Sequence, residues 1–148
     1  MMHIKIDSRQ LQGLFKEDMN TFVKDLDTAI NNAATIVESG AKTYAGRQRI
    51  KNTGMLMSSI QKKRLTRFRY VVGTVMDYAE LQEEGARMTK AELGRQLEKI
   101  KGVQTENKGV ISFQGGTAIW KARPYLKPAF EEQVVHLTKT VKRLTKRK

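Results

Sequence analysis

The sequence predicts an α+β fold: a small antiparallel β-sheet packed against a long N-terminal helix and a C-terminal helix. Three observations carry this expectation. Apolar residues recur at helical spacing from Met19 to Ala41. They alternate at period two on either side of a basic turn between Met55 and Val75. They then return to a helical stripe at Phe130, Val134, Leu137, Val141 and Leu144.

His3-Ile4-Lys5-Ile6 alternates and reads as a short strand, and Asp7 and Ser8 are N-cap types ahead of a short helix carrying Leu11, Leu14 and Phe15. Met19, Phe22, Val23, Leu26, Ile30, Ala33, Val37 and Ala41 then form one face of an amphipathic helix from about Asn20 to Tyr44. That face suits core packing, with a coiled-coil partner interface as the alternative. Gly46–Gly54 reads as an exposed loop, Met55–Lys63 and Phe68–Val75 as two strands, and Arg64–Arg67 as their turn.

Asp77–Gly85 suits a short helix with Asp77 as cap and Gly85 as stop, and Thr89–Lys101 a further helix carried by Leu93, Leu97 and Ile100. Gly102–Gly116 is loop-rich around a strand at Val110–Phe113. Ala122–Pro128 is extended, because a proline disfavours helix in the residue before it. Pro128 suits the first turn of the last helix, with Glu131 and Glu132 in that turn and Lys139, Lys142 and Arg143 near its end, as the helix dipole favours. The stripe on this helix is a packing face or an intersubunit seam. The whole reads as one domain over residues 1–148, with a mobile excursion at 86–118.

Composition narrows the chemistry. An apolar fraction of 39% and a charged fraction of 29% imply a thin core and surfaces that a partner completes. With no cysteine there are no disulfides, thiolate metal sites or cysteine nucleophiles. His3 and His136 lack ligand neighbours at zinc spacing. No apolar run approaches the ~20 residues of a membrane span, and the first residues lack a signal-peptide core, so a soluble, unsecreted protein is expected. Gly115-Gly116 lacks the flanking pattern of a phosphate-binding loop, and Ser58-Ser59 lacks the glycines of a nucleophile elbow. Glu80 and Glu84, one helical turn apart, could in principle hold Mg²⁺, but a solvated acidic face explains them as well. No enzymatic activity and no cofactor are expected.

The charge pattern is the more informative feature. Net charge is +13, and residues 39–76 contain no Asp or Glu but nine basic residues. Arg47, Arg49, Lys51, Lys62, Lys63, Arg64, Arg67 and Arg69 face the acidic group Asp77, Glu80, Glu83 and Glu84 as candidate interface residues. In a cyclic oligomer the 77–84 face of one subunit would meet the 62–69 turn of its neighbour. The alternative is a small basic protein that binds DNA phosphates without regard to sequence. Phe68 and Tyr70, interleaved with Arg67 and Arg69, superficially suit base stacking, but strand alternation puts the two rings on one face, where a core explains them.

Three segments together resemble a known family: Thr53–Ile60 after a long helix; Tyr78-Ala79 followed by Glu84-Gly85; and Ala122-Arg123-Pro124-Tyr125-Leu126-Lys127-Pro128-Ala129-Phe130 opening a C-terminal helix. Their order is similar to that of the head–tail joining, or tail-completion, proteins of long-tailed bacteriophages. Asn52 and Ala86 depart from the residues common there. The resemblance implies a structural subunit without catalytic residues, assembled in the host cytoplasm into the virion neck as a ring, often hexameric. It implies two protein partners, a tail tube protein and a head connector or adaptor protein, with DNA passing through the ring and no membrane. Tail terminator, connector adaptor and joining protein remain open as the position.

Overall fold

A computed structural model describes residues 2–5, 19–48, 53–99 and 111–146. The expected short helix at 8–15 and the basic residues Arg49 and Lys51 lie outside these described residues. Strand β1 (Met2–Lys5) is followed by α1 (Met19–Arg47), α2 (Thr53–Ser59), the hairpin β2 (Gln61–Thr66) and β3 (Arg69–Gly73), α3 (Ala79–Glu84), β4 (Ala86–Thr89), α4 (Lys90–Lys99), the hairpin β5 (Ile111–Gln114) and β6 (Thr117–Trp120), and α5 (Leu126–Thr145).

Helix α1 is the spine. Its 29 residues span roughly 43 Å at 1.5 Å per residue. Leu26, Ile30, Ala33, Ala34, Val37, Ala41 and Ala45 are buried along one face, as the apolar spacing requires. Small residues dominate its C-terminal half, which lets α5 approach closely: a Cβ placed on Gly40 would stand 3.2 Å from the Ala129 methyl. On the other side α1 carries the first sheet, in the order β1-β3-β2 and antiparallel throughout. Tyr70 and Val72 of β3 are buried against the spine, in the same core as Leu26 and Ile30.

The Met55–Lys63 strand expectation is corrected. Thr53–Ser59 is helical, the Ile60 N–H donates to the Leu56 carbonyl at 3.1 Å, and the strand begins at Gln61. Leu56 and Ile60 lie one helical turn apart and both are fully buried. The hairpin turn also moves, from Arg64–Arg67 to Arg67–Phe68, after a register slip between Arg64 and Thr66. Phe68 takes a left-handed φ of 67° there while its ring enters the core. Burial of the ring offsets the cost of that backbone.

A second antiparallel sheet, β4-β6-β5, accompanies the expected one. Within 86–118, β4, α4, β5 and the start of β6 are the described elements. Gly115 and Gly116, at φ 55° and 83°, make the tight turn between β5 and β6. Helix α4 opens on a capping box: Thr89 Oγ1 accepts from the Glu92 N–H at 3.2 Å, and Glu92 Oε2 accepts from the Thr89 N–H at 2.8 Å. Leu93 of α4 is buried in the same core as Ala118 and Trp120 of β6.

Helix α5 starts at Leu126, so Leu126, Lys127 and Pro128 are helical rather than extended. Pro128 still falls in the first turn. Glu131 and Glu132 fall beyond it, and no acidic residue of α5 occupies that turn. Lys142 and Arg143 close the last turn as expected. Leu126 and Ala129 are buried and Phe130, Leu137 and Val141 pack on the core, whereas Val134 is 42% exposed.

Candidate assembly surfaces

Two of the sequence motifs meet in one joint. The last turn of α3 points Glu83 at the start of α5, where its carboxylate accepts the backbone N–H groups of Tyr125 (2.9 Å), Leu126 (2.9 Å) and Lys127 (2.8 Å). A helix leaves its first four N–H groups without intrahelical partners. Here three are taken by Glu83 and the fourth position is Pro128, which has none. The negative charge that the dipole favours at this end comes from a residue more than forty positions upstream.

The chain is locked beside this cap. The Arg123 N–H donates to the Gln82 carbonyl at 2.6 Å, and Gln48 Nε2 to the Pro124 carbonyl at 2.7 Å. Gly85, at φ 70° and ψ 179°, lies so close to the following chain that a Cβ would meet the Trp120 carbonyl oxygen at 2.6 Å and the Ala122 nitrogen at 2.7 Å. Only glycine tolerates both that conformation and that approach. Gly85 is thus the expected helix stop. Asp77 is not the expected cap: Tyr78 occupies that position and makes no side-chain cap bond.

Tyr78, Gln82, Trp120 and Tyr125 bury side-chain polar atoms in the core with no hydrogen-bond partner among the described residues. Burial pushes the Tyr125 hydroxyl well above the ordinary phenol range, with the Glu83 charge and Tyr78 adding to it; burial also raises Tyr78.

The candidate basic residues divide into two sets. Lys62 and Arg64 are turned toward α1: Lys62 Nζ donates to Asn31 Oδ1 (2.8 Å) and Thr35 Oγ1 (2.6 Å), and Arg64 pairs with Asp27 at 2.8 Å. Lys63, Arg67 and Arg69 are exposed, with no acidic partner among the described residues, and Arg47 is exposed at the end of α1. The Arg67 guanidinium lies 5.6 Å from the centre of the Phe68 ring.

The acidic residues divide likewise. Glu83 is the cap. Asp77, Glu80 and Glu84 are exposed along an open cleft of about 680 Å³ bordered by Gly73–Met76 and Gln96. Sequence reasoning missed both the cap and a largely apolar groove of about 360 Å³ on the outward face of the first sheet, lined by Leu65, Val71, Gly73 and Val75 together with Gln61 and Lys63. The exposed ends of that groove, Leu65 at 43% and Val75 at 87%, were visible in the sequence only as apolar residues flanking the hairpin.

Among the described residues no group of three His, Asp or Glu side chains is arranged to hold a metal ion, and no helix is long and apolar enough to cross a membrane. No family model matches the chain, and no match was found among curated proteins or solved structures.

Proposed function

We propose that this chain is a non-enzymatic assembly subunit that works as one copy of a ring. More particularly, it is a tail-completion or head–tail joining protein of a long-tailed bacteriophage, a hexamer that seats the tail tube on the head connector in the virion neck. The observation that carries the reading is the joint at Glu83. The second and third motifs that carry the resemblance to that family, around Tyr78–Gly85 and Ala122–Phe130, are the segments that bond to each other and set the direction of α5. The first motif supplies Leu56 and Ile60 to the core beneath α1. Residues carrying the resemblance are therefore scaffold joints, which supports a structural role over a chemical one. The surface fits the same reading: large apolar side chains remain exposed on the hairpin, on β5 (Phe113, 59%) and on α5 (Val135, 53%), and these are faces that binding partners can cover.

Electron microscopy of the purified protein, alone and mixed with the tail-tube protein of the same virus, tests the proposal. Rings, or caps on tube ends, are expected. A monomer that ignores tubes and instead retards duplex DNA at moderate salt would replace it with the DNA-binding reading, for which Lys63, Arg67 and Arg69 remain available and Lys62 and Arg64 do not.

A further inference from the structure

We infer that the outward face of the first sheet docks a second copy of this chain head to tail, the basic hairpin end of one copy meeting the acidic end of the next. The inference rests on the assembly reading and adds which residues form the seam. The groove there is apolar along its floor, with Leu65 near one end and Val75 at the other, both exposed. Covering them removes apolar surface from water, which drives association. Strand β2, which forms one side of the groove, is also the edge of its sheet, with no strand on its far side among the described residues.

Charge complementarity selects the occupant. Arg67 and Arg69 stand exposed at the hairpin end, with Lys63 midway along the groove opposite Val71; Asp77, Glu80 and Glu84 stand exposed beyond the other end, around the cleft that shares Gly73–Val75 with the groove. Neither set has an oppositely charged partner among the described residues. Strand β3 lies between the ends, and its five residues hold Arg67 and Arg69 away from the acidic set by roughly 15 Å, beyond a Debye length of about 8 Å at physiological salt. One copy cannot neutralise its own ends. Two copies in sequence can, and each then presents a free end of the opposite sign to the next. Because the meeting surfaces differ, the contact is heterologous and closes into a ring when the rotation per subunit permits. Glu83, Lys62 and Arg64 take no part, since each is already bonded within the chain.

A charge exchange tests the seam, read by sedimentation velocity up to millimolar concentration, with circular dichroism to confirm folding. One variant carries Arg67→Glu and Arg69→Glu, the other Glu80→Lys and Glu84→Lys. The wild type is expected to form species larger than a dimer that weaken with added salt. Each variant alone should associate about tenfold or more weakly, because like charges then meet. An equimolar mixture should recover association, because each variant end finds its opposite on the other. Three results overturn the inference: a wild type that stays monomeric, variants that associate as well as the wild type, or assembly that stops at two copies. If tube ends are capped but the variants behave as wild type, the seam is wrong and the assembly reading stands. If tubes are never capped, the assembly reading itself falls.

Discussion

Removing the Glu83 carboxylate should loosen α5 from the rest of the fold. The carboxylate accepts three N–H groups at 2.8–2.9 Å, two of them on the buried residues Tyr125 and Leu126. Each buried donor left without a partner costs about 1–3 kcal/mol, while water can reach the donor of exposed Lys127. Glu83→Ala is therefore expected to destabilise the protein by ~2–6 kcal/mol, a fall in Tm of roughly 4–24 °C at about 2–4 °C per kcal/mol for a chain of this size. Glu83→Gln keeps one acceptor oxygen and should lose about half as much. Glu84→Gln, on the same helix but exposed and unpaired among the described residues, is the control and should change stability by less than about 0.5 kcal/mol. Urea denaturation followed by circular dichroism measures all three. Stability of Glu83→Ala within about 0.5 kcal/mol of wild type refutes the reasoning, because the α5 N-terminus would then be satisfied by other means.

Gly85→Ala should cost ~3 kcal/mol or more in the same denaturation assay, since the new Cβ meets backbone atoms at 2.6 and 2.7 Å in a conformation other residues avoid. Gly94→Ala, inside α4 with nothing near the added methyl, should instead stabilise by about 0.5–1 kcal/mol through helix propensity. Ile30→Ala opens a cavity at a fully buried position on α1 and should cost about 2–5 kcal/mol. The Glu38 carboxyl is held below its ordinary value of 4.5, mainly by the Lys42 hydrogen bond and against partial desolvation, so its stabilisation is complete above pH 4.5 and disappears as pH falls through the lower folded value. Glu38→Gln should accordingly be less stable than wild type at neutral pH, by ~0.5 kcal/mol for a partly exposed pair, and the gap measured across a pH series should close on acidification below 4.5.

The elements differ in how far local pattern decided them. Helix α1 repeats its apolar spacing from Leu26 to Ala45, and only one periodicity fits so long a run. Helix α2 is short enough for two: Leu56, Ser58 and Ile60 alternate as a strand would, while Leu56 and Ile60 alone satisfy a helical turn. Packing beneath α1, where both are fully buried, breaks the tie. Strands β4 and β6 are four residues each; β4 takes its ladder from β6, in the register Ala86↔Trp120 to Thr89↔Thr117, and β6 takes its own from β4 and β5, so neither had a signal of its own. The charge segregation was legible as composition. Which cations are consumed was not, because Lys62 and Arg64 differ from Lys63 only in the side of β2 they occupy.

By itself the sequence determined the mixed fold class, the spine helix and its buried face, the stop at Gly85, the place of Pro128 in the first turn of α5, and the separation of basic from acidic segments. These follow from sterics and periodicity, which act within a few residues along the chain. Tertiary structure decided that Glu83 caps α5, that the hairpin turns at Phe68, and that an apolar groove lies between the two charged ends. These depend on groups brought together across forty or more residues or across neighbouring strands, and a hydrogen bond or a buried contact is set by distance in space rather than by separation in sequence.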